Sequence, residues 1–299
     1  MLPEDLTTLL VRAGVEAAWV ATFQDPAAFE LKMRANLESG KYPDEAQQRV
    51  ALGALLVVLQ YLERYDELVA VLHADWSPVS AECSPEFETL YVAALEATGT
   101  SAVPLRRRPR LQELANQLAS TRGVAGDVAE CGCYRGLSSH LMCQILRAER
   151  RGFDGGGYHV FDSFQGLSDP MPENAIPEDD PDAASLRANT GAGRFRAPLK
   201  LVQSNLRDFP RIAFHPGWIP YSFHGLAERR YRFVHLDVDL YDPTADALNY
   251  FYDRIMPGGA IVSDDYGWPG ARLAISQFAA ARGLRIEVTP HNQAILRCV

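Results

Sequence analysis

Hydrophobic positions follow two different rhythms along this chain, and the change falls near residue 105. Before it, apolar residues recur at helical spacing, most extensively over Asp44–His73, with shorter helices predicted at Pro26–Leu37 and Pro85–Ala97. After it, short apolar runs alternate with amphipathic stretches, a pattern typical of strands and helices that build a parallel sheet. We therefore predict a helical domain over residues 1–104 and an α/β domain over residues 105–299.

The second half carries the strands of the predicted sheet. They are expected at Asp127–Cys131, Tyr158–Phe161, Ile212–His215, Phe233–Leu236 and Ala260–Val262. A final pair, Arg285–Val288 and Ala294–Arg297, is predicted to form an antiparallel hairpin. The fold class is thus α/β, a doubly wound and mostly parallel sheet with helices on both faces.

One long stretch, residues 165–197, interrupts the alternation. It is rich in Pro, Asp, Glu and Gly and has no core periodicity. A loop of this length in a compact domain is usually functional or disordered. We expect part of it, residues 170–195, to act as a lid that becomes ordered when the site is filled, and to contact the acceptor.

Acidic residues follow two neighbouring strands at the point where each ends. Asp237 comes after one apolar run, and Asp264 and Asp265 come after the next, with a helix between them that Asp242 is expected to cap. Parallel strands joined in this way lie side by side, so the three acids should converge at the carboxyl edge of the sheet. A single Asp there is more often a helix cap. Three together favour a hard cation with oxygen ligands, such as Mg²⁺.

A glycine-containing turn follows the first predicted strand. Glu130, Gly132, Gly136 and Ser138 lie in it, and Asp162 ends the next strand. Glycine allows close approach of a ligand to the backbone, and an acid at the second strand end is the usual partner of a ribose diol. The turn alone is a weak signal, and Asp162 could simply form a turn. The two acids favour a nucleoside with a cationic sulfonium over a pyrophosphate.

Composition narrows the possible partners and the compartment. The net charge of −9 argues against nucleic acid or an anionic membrane as a partner. The dense basic run Arg106–Arg110 is interpreted as the solvated entry to a helix, and the longest apolar run, Ala51–Leu59, is too short to span a bilayer. Five scattered cysteines and an N-terminus without signal-peptide features favour a reducing cytoplasm. Cys131 and Cys133 are expected to be buried apolar residues.

Several motifs together resemble one enzyme family. In chain order they are Ala129-Glu-Cys-Gly-Cys-Tyr-Arg-Gly136, Phe161-Asp-Ser-Phe-Gln-Gly166, Phe214-His-Pro-Gly-Trp-Ile219, His235-Leu-Asp-Val-Asp-Leu-Tyr241, and Pro257-Gly-Gly with Asp264-Asp-Tyr-Gly267. They resemble the S-adenosylmethionine-dependent O-methyltransferases of the macrocin, mycinamicin and noviose type, which tailor antibiotics. The resemblance covers residues 110–283. It implies a class I methyltransferase sheet, a Mg²⁺ ion and methyl transfer to a hydroxyl.

The resemblance also assigns roles to residues. It implies that the metal ligands are Asp237, Asp264 and Asp265. It implies a cofactor site in which Asp162 holds the ribose, Gly132 and Gly136 flank the amino-acid portion, Ser163 lies near the ribose and adenine, and Gly217 and Trp218 lie by the adenine. The first hundred residues are not covered, so no contact from them is implied.

The proton acceptor for the transfer needs a separate argument. Catechol methyltransferases use a lysine soon after the first metal Asp, but no lysine occurs in the four residues after Asp237. Asp239 is therefore the candidate base, as in the resembling sugar methyltransferases. A salt bridge or helix cap is the alternative for Asp239. His235 is expected to point the other way on its strand and to be a packed, hydrogen-bonded residue.

Two other functions stay open from the sequence alone. A metal-dependent hydroxylase could use the same acids, although it would need histidine ligands, and no Glu-x-x-His spacing occurs. A non-catalytic pathway scaffold with a vestigial cofactor fold is the second alternative, although such a scaffold has no need for clustered acids. The preferred prediction is an O-methyltransferase that acts on a hydroxylated small molecule, a sugar or phenol. The helical domain is expected to pack near the site or to form a homodimer contact.

Overall fold

A computed structural model describes residues 2–38, 45–64, 83–100, 107–169, 191–226 and 228–298. The helices in these ranges are α1 Glu4–Arg12, α2 Ala17–Val20, α3 Pro26–Glu38, α4 Glu45–Tyr61, α5 Pro85–Thr98, α6 Arg107–Ser120, α7 Leu137–Glu149, α8 Leu199–Asn205, α9 Tyr241–Phe251 and α10 Pro269–Arg282. The strands are β1 Asp127–Cys131, β2 Tyr158–Asp162, β3 Ala213–Pro216, β4 Tyr231–Leu236, β5 Ile255–Ser263, β6 Glu287–Val288 and β7 Ala294–Arg297. Short 3₁₀ turns occur at Tyr221–Phe223 and Tyr252–Arg254.

The chain divides into two compact units. One comprises Met1–Glu82 with Ser101–Pro109, and the other comprises Cys83–Thr100 with Arg110–Val299. Helix α5 therefore belongs to the unit that contains the sheet, where it contacts α7. The predicted domain boundary at residue 104 concerns independent folding and stays a prediction.

The first unit is a small helical cluster with its own core. Leu6 and Leu10 of α1, Phe29 of α3, and Leu55 and Leu59 of α4 are all fully buried there. The apolar stripe of α4 was expected to need a packing partner. Part of this stripe packs against α1 and α3. Helix α4 ends at Tyr61, so the predicted helix over Asp44–His73 is shorter than expected, and residues 65–73 lie outside the described residues.

The second unit contains a seven-stranded sheet in the order β3-β2-β1-β4-β5-β7-β6. Strands β1 to β5 pair in parallel, and β7 is antiparallel to both β5 and β6. This confirms the predicted doubly wound sheet with a C-terminal antiparallel hairpin. Because the strand order reverses at β1, the crevice where ligands bind in such folds lies outside the carboxyl ends of β1 and β4.

Each face of the sheet buries a separate core. Successive residues of β1 alternate between them: Val128 packs with Leu114 and Leu141, whereas Ala129 packs with the side that contains Phe251 and Ile275. This alternation follows from the two-residue period of a strand. Both faces are covered by helices, so the carboxyl edge of the sheet is left for function.

Local capping rules account for two of the described helix ends. Ser84 caps α5 by accepting a hydrogen bond from Phe87 N at 3.2 Å, and Gly283 ends α10 at φ 63°. The prediction that Asp242 caps α9 is wrong. Leu240 occupies the cap position without a side-chain bond, and Asp242 lies in the first turn, where its charge complements the helix dipole.

The predicted lid and the possibility of a membrane-spanning helix are considered next. The core of the predicted lid, residues 170–190, lies outside the described residues. Among the residues that the structure describes, no helix is long and apolar enough to cross a membrane.

Candidate active site

The acids meet at the carboxyl edge because of strand register. Leu236 at the end of β4 pairs with Ser263 of β5, so Asp237 and Asp264 leave adjacent strands at the same level. Asp264 N also donates to Leu236 O at 2.8 Å. Gly132 makes this closeness possible, since a Cβ there would overlap the carbonyl oxygen of Asp237. Gly132 has φ +80°, so its conformation and its space both require glycine.

The ligand atoms of the edge form two overlapping groups that share Asp237. In one group the nearest atoms of His235, Asp237 and Asp264 lie within 4.8 Å of one another. In the other, those of Asp237, Asp239 and Asp265 do so. The three predicted metal ligands do not fall in one group: Asp237 belongs to both, Asp264 only to the first and Asp265 only to the second. The structure adds His235 to the first group and Asp239 to the second, and the predicted ligand set stays a prediction. We call these the closed group and the open group, respectively.

The open group is held by backbone hydrogen bonds. Asp265 Oδ2 accepts from Val238 N and from Asp239 N, each at 2.8 Å. Asp239 has φ +61°, a left-handed conformation that Asp tolerates better than most residues. This tight turn directs the strand end around the Asp265 carboxylate and keeps Asp237 and Asp239 on the same side of the edge.

The open group has too much negative charge for its surroundings. Burial and Asp264 raise the pKa of Asp237 to about 6. Burial and Asp237 raise the pKa of Asp239 to about 8. Burial and Asp239 raise the pKa of Asp265 well above its usual range. Carboxylates behave in this way when no cation offsets their repulsion.

The closed group is neutralised from within the protein. Arg110 Nη2 forms a salt bridge with Asp264 Oδ2 and donates to Asp264 O at 3.1 Å, while Gln293 Nε2 donates to Asp264 Oδ1 at 2.6 Å. Burial alone would raise the pKa of Asp264, but the Arg110 guanidinium outweighs burial and holds it below the usual range. The interpretation of Arg106–Arg110 as only a solvated helix entry is thus wrong for Arg110, whose partner is 154 residues away and invisible to local pattern.

His235 faces the acids, contrary to the prediction that it points away. It lies two residues before Asp237 on the same strand, so both side chains fall on one side, a spacing that could have revealed it. Its Nδ1 lies 3.0 Å from Glu130 Oε1 and its Nε2 lies 3.9 Å from Asp264 Oδ1. Burial alone would lower the pKa of His235, but Asp264 and Glu130 raise it to about 10. It is hydrogen-bonded, as expected, and supplies positive charge.

Glu130 lies in the interior rather than at the crevice. It is fully buried, and its second oxygen accepts hydrogen bonds from Ser139 Oγ and from Tyr158 Oη, the latter at 3.0 Å. With His235 on the first oxygen, both carboxylate oxygens are engaged by the protein. Glu130 thus supports His235 and helix α7 through its hydrogen bonds, and its predicted contact with the cofactor stays a prediction.

Asp162 connects the ends of three strands. Its Oδ2 accepts from Cys133 N at 2.8 Å and its Oδ1 accepts from Phe164 N at 2.6 Å. Its carbonyl oxygen accepts from Gly217 N at 3.0 Å. The turn after β1, the end of β2 and the end of β3 thus converge on this one acid, and its predicted role with the cofactor ribose stays a prediction.

The remaining predicted cofactor residues have separate structural settings. Gly136 has φ +88° and begins α7, where a Cβ would press on Leu206. Ser138 is buried in the first turn of α7. Ser163 Oγ donates to Gly166 O at 2.9 Å, so it shapes the turn after β2, and Trp218 keeps an exposed face. Cys131 and Cys133 are buried and unpaired, which confirms the prediction that they are structural.

Residues on either side of the segment 170–190 are joined by backbone hydrogen bonds. Leu167 N donates to Arg194 O and Gly193 N donates to Leu167 O, both at 2.8 Å. The positive charge of Arg194 acts on Asp239. Exposed rings of Tyr134 and Phe195 meet edge to face, 5.8 Å between centroids. Sequence reasoning missed this pair because no periodic pattern marks two residues 61 positions apart.

The donor set fits a hard divalent cation. The open group offers closely spaced carboxylate oxygens, and the positive charges of Arg110 and Arg194 only partly offset their repulsion and burial, so the pKa of Asp239 stays raised. His235 Nε2 is buried beside Asp264 without a hydrogen-bond partner. The Asp162 edge likewise fits a nucleoside, because a carboxylate and a glycine turn share one strand-end crevice.

Topology and crevice together define a class I methyltransferase architecture. A family model for macrocin O-methyltransferases (TylF) matches residues 94–294. The chain belongs to this family and is an S-adenosylmethionine-dependent O-methyltransferase.

Individual relatives support the assignment. The chain is 32% identical over 186 residues to the 8-demethyl-8-(2,3-dimethoxy-alpha-L-rhamnosyl)-tetracenomycin-C 4'-O-methyltransferase of Streptomyces olivaceus. The matched region covers 61% of this chain and 68% of the relative. It is 28% identical over 194 residues to mycinamicin III 3''-O-methyltransferase of Micromonospora griseorubida, covering 62% of this chain and 72% of the relative. The solved O-methyltransferase NovP shares the fold, with a TM-score of 0.53 at 22% identity over 80% of this chain and 98% of that one.

Proposed function

We propose that this enzyme methylates a hydroxyl of a sugar or phenolic group on a secondary metabolite, with Mg²⁺ bound at the acid edge. The observation that carries the proposal is the open group, in which Asp239 lies beside the shared acid Asp237. Relatives named for methylation of a rhamnosyl tetracenomycin and of mycinamicin III support a glycosylated acceptor in antibiotic biosynthesis.

The acids divide the work between holding the ion and moving a proton. Asp237, Asp264 and Asp265 would hold Mg²⁺, and Asp239 would take the proton from the acceptor hydroxyl. When bound, the ion would orient the acceptor oxygens and lower the pKa of the reacting hydroxyl. In-line displacement at the methyl carbon then depends on alignment, which the rigid strand ends of β4 and β5 provide.

The alternatives for Asp239 lose support in the structure. Among the described residues it makes no salt bridge, and the cap position of α9 belongs to Leu240. A residue that can be protonated near neutral pH, next to an ion site, is suited to general base catalysis. Its pKa of about 8 without a cation would fall once an ion is present, because positive charge stabilises the carboxylate.

The cofactor is proposed to lie across the ends of β1, β2 and β3. Asp162 would accept the ribose hydroxyls with lone pairs that its backbone bonds leave free. The turn from Gly132 to Gly136 would flank the amino-acid portion, and Gly217 with Trp218 would contact the adenine. Ser138 and Ser163 would act by shaping the two turns.

The rival functions have less support. A hydroxylase would need more than the one histidine, His235, that the described acid edge contains, and that residue is engaged by Glu130. A scaffold would not need acids held so close that their pKa values rise. We further propose a cytoplasmic location, since all five cysteines are free thiols, and a homodimer. The negative charge disfavours nucleic-acid and membrane partners.

Methyl transfer from labelled S-adenosylmethionine to a panel of glycosylated and phenolic acceptors tests the proposal. We expect turnover of at least one acceptor class, loss of that turnover in EDTA, and its return with Mg²⁺. Turnover that is insensitive to EDTA would exclude the magnesium part, and turnover of neither class would exclude the acceptor assignment.

A further inference from the structure

Arg110 occupies the carboxylate that the proposed ion needs. Its Nη2 contacts Asp264 twice, through the side chain and through the carbonyl oxygen at 3.1 Å. Gln293 is fully buried and ties the two residues together, because its Nε2 donates to Asp264 Oδ1 at 2.6 Å and to Arg110 O at 3.1 Å. Both carboxylate oxygens of Asp264 are therefore held by protein donors.

The position of Arg110 is unfavourable for the helix that carries it. Arg110 lies in the first turn of α6, and this first turn contains no acidic residue. A cation near a helix N-terminus is repelled by the helix dipole, so the placement costs stability unless a carboxylate compensates. Asp264 supplies that compensation. Arg110 Nε is buried without a hydrogen-bond partner, so the guanidinium is not fully satisfied where it lies.

We infer that Arg110 is an internal counterion that competes with the divalent cation for Asp264. In the metal-free protein Arg110 neutralises the closed group, and full ligation by Asp237, Asp264 and Asp265 requires it to withdraw. The inference rests on the proposed function, because it assumes an ion at this edge. It makes Arg110 a positioning residue that sets the affinity for the ion.

The charge geometry predicts the direction of the effect. Arg110 acts electrostatically on Asp237 and Asp265 as well as on Asp264. A fixed positive charge repels a divalent ion a few ångströms away and also blocks one of its ligands. Removing that charge should therefore tighten ion binding, whereas removing a residue that merely supported Asp264 as a ligand would weaken it.

The experiment is Mn²⁺ titration of the metal-free full-length protein, followed by the electron paramagnetic resonance signal of free Mn²⁺. We expect Arg110→Gln to bind Mn²⁺ about tenfold tighter than wild type. We expect Arg110→Lys, which keeps the charge on a single-point donor, to bind about threefold tighter. Arg229→Gln is the matched control, since Arg229 pairs at 3.0 Å with Asp127, at the opposite end of β1 from the acid edge, and should leave the affinity unchanged.

Thermal unfolding gives a second readout that does not depend on turnover. In EDTA, Arg110→Gln should unfold at a lower temperature than wild type, and Mg²⁺ should raise its unfolding temperature more than it raises that of wild type. If Arg110→Gln does not fold, Arg110→Lys decides the question. Equal or weaker Mn²⁺ binding by the folded variant, beside normal binding by wild type, overturns the role of Arg110 alone. A wild-type protein that binds no Mn²⁺ overturns the magnesium site and this inference together.

Discussion

The two halves of the acid edge share Asp237 but solve the problem of negative charge in opposite ways. On the closed side, Asp264 is surrounded by Arg110, Gln293 and His235, and its pKa is held low, against the effect of burial, by Arg110. On the open side, Asp239 is left with other acids, and burial with Asp237 raises its pKa to about 8. On the closed side, protein cations thus offset the negative charge of the acids. On the open side, protein cations do not offset it fully. This shortage of positive charge indicates where an external cation is needed.

The largest effect expected from this comparison is loss of turnover when a ligand of the ion is neutralised. Asp265→Asn and Asp237→Asn should each abolish methyl transfer, since a neutral amide oxygen binds Mg²⁺ much more weakly than a carboxylate. S-adenosylmethionine binding should be largely intact by calorimetry, because Asp162 lies on other strands. Asp242→Asn is the control, an exposed acid outside both groups. Turnover near the wild-type rate in either ligand variant would contradict the site.

A smaller but still large loss is expected at the candidate base. Asp239→Asn should lower kcat by about 10²–10⁴-fold, the range of general base catalysis, while Mn²⁺ affinity changes little. The rate of wild type should rise with pH to a plateau and the variant should lose this dependence. Unchanged kcat, or a loss explained wholly by weaker Mn²⁺ binding, would return Asp239 to a structural role.

The cofactor edge should respond less strongly. Asp162→Ala should weaken S-adenosylmethionine binding by about 1–3 kcal/mol, as expected for charge-assisted hydrogen bonds. Asp162→Asn keeps an oxygen for the backbone of Cys133 or Phe164, so it separates loss of the ribose contact from loss of the turn. Asp208→Ala, at an exposed acid, is the control. A dissociation constant that Asp162→Ala leaves unchanged would make Asp162 purely structural.

The smallest effect is a dependence of stability on pH. Asp237 and Asp239 have folded-state pKa values of about 6 and about 8, above the value of about 3.9 for Asp in an unfolded chain. Between these values the folded protein holds more protons than the unfolded chain, so the free energy of unfolding should fall as pH rises from 5 to 8 in EDTA. Mg²⁺ should flatten this decline, since it displaces the protons. Urea unfolding at pH 5, 6, 7 and 8, with EDTA or with Mg²⁺, measures the free energy of unfolding at each pH.

The difference between the two curves is the informative quantity, because titrating groups elsewhere contribute equally to both. Asp239→Asn should reduce the decline between pH 6 and 8, a range to which His235, with a pKa of about 10, also contributes. A decline that Mg²⁺ does not change would mean that these acids do not bind the ion.

Local rules account for what the sequence predicted well. Strand positions follow from short apolar runs such as Phe233–Leu236, and the convergence of Asp237 with Asp264 follows from pairing of parallel strands. The predictions that failed depended on side-chain environments instead. Arg110 pairs with a residue far along the chain, and no window of sequence contains both partners.

Two further cases show where local reasoning stops. Glu130 looked like a cofactor acid because it ends a strand, yet its side chain points into the interior toward Ser139 and Tyr158. Gly132 was expected to admit a ligand, which stays a prediction, and the structure adds a reason for glycine that the sequence did not reveal: the carbonyl of Asp237 occupies the space of a Cβ. In both cases the residue type was right for the region, and the neighbour that explains it lies on another element of the fold.

A crystal structure with Mn²⁺ and the demethylated cofactor tests the metal site at this carboxylate edge most directly. Anomalous scattering should show one peak with oxygen distances of about 2.1 Å to Asp237, Asp264 and Asp265. Arg110 should be withdrawn from Asp264 in that state. No peak at this edge at saturating Mn²⁺, or a peak elsewhere with the Arg110–Asp264 pair intact, would contradict the account.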